Sequence, residues 1–138
     1  MIRVLDAREM RIDSEDDVAL VRHQVRERAA ARGFDPFATA AITTATSELS
    51  RNVFVHARRG RAVIEEITNG LRIGLRISFE DEGPGIADLP RALAGGYSTR
   101  RSMGLGLSGS RKLVDEFDID SGPGRGTKVT IVKWARLS

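Results

Sequence analysis

The sequence of 138 residues contains no cysteine. Disulfides, thiol nucleophiles and thiolate metal sites are therefore excluded, and the absence fits an intracellular, cytoplasmic chain. Histidine is almost as scarce, with only His23 and His56 present, which argues against a histidine-built metal centre. Aromatics are 5% of the chain and do not interleave with the arginine clusters "ARRGR" and Arg100-Arg101. A single-stranded nucleic-acid surface would need such interleaving, so no nucleic-acid partner is expected. No apolar run approaches the ~20 residues of a membrane span. The opening "MIRVLDAREMRIDSEDD" is charged throughout, unlike a signal peptide or an anchor, so no membrane association is expected.

What remains is the composition of one globular domain. Hydrophobic residues make up 41% and the net charge is +3. That suits a single core over residues 1–138, and no repeat or low-complexity linker interrupts it. The segment to about Ile12 reads as an edge strand. Asp13 or Ser14 caps a helix that carries Val18, Leu20, Val21, Val25 and Ala29 and stops at Gly33. Asp35-Pro36 starts a second helix that runs to about Arg58, with a stripe of Ile42, Ala45, Leu49 and Val53.

"RAVIEEI" and "LRIGLRISFED" read as strands joined by "TNG", and Asn69-Gly70 is a hairpin turn signal. A short helical turn is expected around Arg91 to Ala94, then a glycine-rich loop, then a helix from about Leu105 to Glu116. "FDIDS" and "TKVTIVKW" are the last two strands, turned by "GPGRG". The order predicts an α/β protein: a two-layer sandwich with a mixed, mostly antiparallel sheet and helices on one face.

The stretch "MGLGLSG" contains G-x-G-x-x-G at Gly104, Gly106 and Gly109. A dinucleotide fingerprint needs a buried strand directly before it, and "GGYSTRRS" is polar and glycine-rich. No G-x-x-x-x-G-K-[ST] occurs either. Two readings are left: a loop whose backbone amides hold phosphate at a helix start, or a flexible connector.

Three other places carry chemistry. Asp81 is in phase with Ile73, Leu75, Ile77 and Phe79, so its carboxylate faces the apolar side, where an ionised group needs a partner. Gly83 and Gly85 beside it leave room for a ligand whose amino group it would accept from, such as adenine. The alternative is an Asp that starts the turn "DEGPG". Glu48 and Asn52 share one helix face at the core boundary. They suit a general base and a carbonyl donor to Mg²⁺, or else a semi-exposed polar pair. Thr127 is in phase with Val129 and Ile131, on the same interior side as Asp81.

Taken in order, Glu48-x-x-x-Asn52, Asp81-x-Gly83-x-Gly85, Gly104-x-Gly106 and Gly124-x-Gly126-Thr127 resemble the motif set of the GHKL ATPases. The match covers roughly residues 35 to 133. The resemblance implies the Bergerat fold, that of the histidine-kinase-like ATPase domain. Within the superfamily the chain is similar to the bacterial anti-sigma-factor serine/threonine kinases, and "ITTATSELSRN", "EDEGPGI" and "GGYSTRRSMGLGL" look most like the RsbT-type switch kinases.

That subgroup implies ATP and Mg²⁺ as cofactors and a STAS-domain antagonist protein as substrate. It also implies a PP2C-type phosphatase, or a sigma factor, as further partner. By the same resemblance Glu48 would be the catalytic base, Asn52 would bind Mg²⁺, and Asp81 with Thr127 would bind adenine, which Gly83 and Gly85 would let approach. Gly104, Leu105, Gly106 and Leu107 would hold the phosphates under a flap from about Gly95 to Met103. The alternative is an anti-sigma factor or a non-catalytic nucleotide-binding module that acts by docking.

Overall fold

The computed structural model describes residues 1–86 and 102–136, with side chains except those of 102–106. The elements run β1 (Arg3–Ile12), α1 (Glu15–Ala31), α2 (Pro36–Ala57), β2 (Gly60–Thr68), β3 (Ile73–Asp81), α3 (Ser102–Leu113), β4 (Glu116–Ser121) and β5 (Thr127–Trp134). The strands form one sheet in the order β1-β2-β3-β5-β4, and every pairing is antiparallel. The expected sandwich is therefore present, with a wholly antiparallel sheet among the described residues where a mixed one was expected. The charged first strand is an edge, as its composition indicates.

Local chemistry explains the helix starts. Ser14 Oγ accepts from the Asp17 amide at 3.2 Å, with Glu15, Asp16 and Asp17 in the first turn. Asp35 Oδ1 accepts from the Ala38 amide at 2.7 Å, with Pro36 in the first turn. Gly33 ends α1's connection at φ +80°, where a side chain is disfavoured. Between β2 and β3 the loop is Asn69 to Arg72, and Asn69 Oδ1 caps the Leu71 and Arg72 amides at 2.9 and 2.8 Å. The expected hairpin forms, but β3 starts at Ile73 rather than Leu71 because Leu71 and Arg72 are spent on this Asx-type turn.

The core lies between the helices and one sheet face. Val18, Val21 and Val25 of α1, Ile42, Leu49 and Val53 of α2, and Ile64, Leu75, Ile77, Phe79 and Ile131 of the strands are all buried. Leu20, expected in the α1 stripe, is 55% exposed. Two residues after Val18 is about 200° around the helix, which turns it to solvent. The helix expected from Leu105 to Glu116 instead spans Ser102–Leu113. Leu107 and Ser110 are buried and Leu113 packs against the core. That packing holds a helix over Gly104, Gly106 and Gly109 against their poor propensity. The short turn expected at Arg91 to Ala94, Arg100 and Arg101, and the flap as far as Arg101 lie outside the described residues. The flap's last two residues, Ser102 and Met103, open α3.

One polar cluster joins β1, β2 and α1. Glu66 sits on the core side of β2 with its side chain 9% exposed, and it pairs with both Arg28 and Arg32. Arg28 also reaches Asp6 at 2.9 Å. Removing one partner of a buried ion cluster leaves charge without compensation, at about 3–5 kcal/mol. Glu66→Ala is expected to lower unfolding free energy by about 3–5 kcal/mol in urea titrations, whereas a loss below about 0.5 kcal/mol would mean the cluster is as weak as surface pairs are.

Candidate functional site

Strand register places the site. Phe79 pairs with Val129 across β3 and β5, and both are buried. The next row on the same face is Gly60, Asp81, Thr127 and Ser121, one from each of β2, β3, β5 and β4. At this row the core layer changes from apolar to polar. The residues Leu49, Asn52, Val53 and His56 of α2, Leu107 of α3, and Pro84, Gly85 and Ile86 of the loop after β3 close a cleft of about 220 Å³ over it. That is below the ~300–1,000 Å³ usual for whole-ligand pockets and suits a single planar base. Its walls are Leu49, Val53, Phe79, Leu107 and Val129, and its polar groups are Asn52, His56, Asp81 and Thr127.

Asp81 Oδ1 accepts from the Gly83 amide at 2.9 Å. Burial pushes the Asp81 carboxyl above its ordinary value, opposed by the Gly83 and Thr127 amides and by His56. The carboxylate is thus held in place by its own loop with its remaining acceptor capacity at the cleft.

The loop after β3 and the β4–β5 hairpin pack back to back. The Gly124 amide donates to the Pro84 carbonyl at 2.8 Å. A Cβ on Gly85, whose φ is +79°, would collide with the Gly122 carbonyl oxygen. One on Gly83 would lie 2.8 Å from the Ala57 Cβ at the end of α2. Both glycines therefore serve close approach of protein to protein, a reason additional to the room for a base expected of them.

Of the expected site residues, Asn52, Asp81, Gly85, Leu107 and Thr127 line this one cleft. Gly83 is in its floor loop, two residues after Asp81. Glu48 is half-buried, one turn of α2 before Asn52, and is not among the lining residues. Gly104, Leu105 and Gly106 lie in the first turns of α3, which begins at Ser102, three residues before the expected helix start at about Leu105.

Two polar residues join the site beyond the expected set, His56, which the sequence reads as a packed helix histidine one turn past Asn52, and Ser121. His56 is one further turn along α2 and faces the cleft; its spacing of four from Asn52 was a visible signal. Ser121 stands opposite Thr127, and its position across the "GPGRG" turn could have revealed it.

Among the described residues no three His, Asp or Glu side chains form a metal-binding group. Asn52, with a neutral side-chain amide oxygen, is among the residues that line the cleft. A cation held through one neutral carbonyl takes its other oxygens from phosphates and water, which is the habit of Mg²⁺. The residues fit a Mg²⁺ ion that arrives with a nucleotide.

A helix-lined cleft over an antiparallel sheet, with an acidic group at the inner strand end, agrees with comparison to known families. Residues 13–133 match the model of the histidine kinase-like ATPase domain. The chain belongs to that family. As a member of the histidine kinase-like ATPases, it is 40% identical over 127 residues to the serine/threonine-protein kinase RsbT of Bacillus subtilis, spanning 92% of this chain and 96% of RsbT. An anti-sigma F factor of a Thermoanaerobacter species is 32% identical over 99 residues, 67% of this chain and 68% of that protein. The crystal structure of the RsbU and RsbW domains of a Mycobacterium tuberculosis protein shares the fold with a TM-score of 0.66 at 23% identity, over 96% of this chain and 34% of that one. The ATPase-like domain and the RsbT match make this chain a serine/threonine kinase homologue. No helix among the described residues is long and apolar enough to cross a membrane.

Proposed function

We propose that the protein is a cytoplasmic ATP-dependent kinase that phosphorylates serine or threonine of a STAS-domain antagonist protein in a bacterial partner-switching pathway. In the same reading it activates a PP2C-type phosphatase when released. The observation that carries the reading is the register pair Asp81–Thr127 facing Asn52 across an apolar, base-sized cleft.

A nucleotide laid along α2 would meet three of its side chains in order. His56 lies at the Asp81 end, Asn52 one turn away and Glu48 one turn beyond, at about 5.4 Å per turn. The apolar walls would sandwich the adenine, and the Asp81 carboxylate would accept a hydrogen bond from its amino group. Asn52 would offer its amide oxygen to a Mg²⁺ ion, which when bound would neutralise phosphate charge. The backbone amides of the first turn of α3, up to Gly104 and Leu105, would supply donors to the phosphates, whereas that of Gly106 belongs to the helix ladder. Glu48 lies past Asn52, where an acceptor hydroxyl would approach. It takes the hydroxyl proton as the new O–P bond forms to the γ-phosphorus, and the bond to the β,γ-bridging oxygen breaks to release ADP. Such transfer depends on positioning and electrostatics rather than covalent catalysis.

The test is incubation with γ-labelled ATP, Mg²⁺ and a panel of STAS-domain proteins. Label is expected on serine or threonine of one of them. Tight complex formation without any transfer would favour the docking module.

A further inference from the structure

Ser121 ends the edge strand β4 and was assigned no role by its motif context. Its Oγ makes three contacts: it accepts from the Ile86 amide at 2.9 Å, donates to the Gly126 carbonyl at 3.0 Å, and lies 2.8 Å from Thr127 Oγ1. A serine hydroxyl has one proton and two acceptor lone pairs. An amide N–H can only donate and a carbonyl can only accept, so the first two contacts fix two of these three capacities. The Ser121 proton goes to Gly126, and one lone pair takes the Ile86 proton. Gly126 is buried, so its carbonyl would be costly to leave unpaired. The remaining lone pair can engage Thr127 only if Thr127 is the donor. The single Thr127 proton therefore points at Ser121, and Thr127 shows the cleft only lone pairs.

We propose that Ser121 is a positioning residue that sets base specificity by fixing the direction of the Thr127 hydroxyl. With Ser121 in place the polar end of the cleft offers two acceptors, the Asp81 carboxylate and Thr127 Oγ1. That edge takes a 6-amino purine, whose exocyclic nitrogen carries two protons, or a water that donates to Thr127. A 6-oxo purine presents an oxygen acceptor at the same place and meets acceptors. Without Ser121 the Thr127 hydroxyl is released to rotate and donate to that oxygen. The inference rests on the nucleotide reading of the cleft.

The experiment measures dissociation constants of ATP and ITP, with Mg²⁺, for the wild type, Ser121→Ala and Ser121→Thr. Folding of each variant is checked by thermal melt. The wild type is expected to prefer ATP. Ser121→Ala should narrow the ATP-over-ITP ratio by about five- to tenfold, the worth of roughly one hydrogen bond, and Ser121→Thr should restore it. A role limited to bracing the Ile86 loop would weaken both nucleotides alike. A folded Ser121→Ala protein with the wild-type ratio overturns the proposal. Failure of the wild type to bind ATP would instead overturn the nucleotide reading itself, so the two failures are distinguishable.

Discussion

Glu48→Ala is expected to lower phosphoryl transfer to the partner by about 10²–10⁴-fold, the usual worth of a general base, with ATP affinity changed less than about threefold. The separation of effects follows from position. Glu48 is a turn away from Asn52 along α2 and outside the cleft lining, so it touches neither the base nor the walls that hold it. It is also half-buried rather than core, and truncation leaves no large cavity. Single-turnover labelling would report the chemical step, and calorimetry the affinity. A variant that transfers label at the wild-type rate would remove Glu48 from the role of base.

The second large effect is at Asp81. Asp81→Asn should weaken ATP by about 10–100-fold, because a hydrogen bond to a charged acceptor is worth about 1.5–3 kcal/mol. The same substitution should leave the nucleotide-free protein as stable as the wild type, or slightly more so, at neutral pH. Burial raises the Asp81 carboxyl pKa in the folded protein, so folding favours its neutral form. The stabilising contribution is full below the unfolded pKa, near 3.8, and is lost as pH rises through the higher folded value. At neutral pH the ionised group is a cost to the fold, softened by water because the residue is only half-buried. ATP affinity should rise over the same pH window as the carboxylate forms. Urea titration and calorimetry from pH 4 to 7 would check both signs. An Asn variant that is clearly less stable but binds ATP normally would make Asp81 a structural turn residue.

The parts of this arrangement that were legible in sequence are those governed by local rules. Asp35-Pro36 at the start of α2, Ser14 at the start of α1 and Asn69-Gly70 in the hairpin each act within four residues. The two-residue period of β3 and β5 put Asp81 and Thr127 on the interior side, and pairing then set them opposite each other. The parts that were hidden depend on distant contacts. Glycine-rich sequence around Gly104 reads as loop, and only burial of Leu107 and Ser110 makes it helix. The insertion of β5 between β3 and β4 brings two turns far apart in sequence into contact. That contact is what gives Gly85 its need for a missing side chain and Ser121 its bond to Ile86. No spacing within either turn reports on the other.

Asp81, Thr127 and Asn52 are proposed to surround one magnesium nucleotide. A crystal structure with a non-hydrolysable ATP analogue and Mg²⁺ tests it most directly. The purine is expected between Leu49, Phe79 and Val129, its amino group about 3 Å from the Asp81 carboxylate, with the metal on the Asn52 oxygen. Nucleotide bound at another surface, with this cleft closed or filled by other side chains, would contradict it.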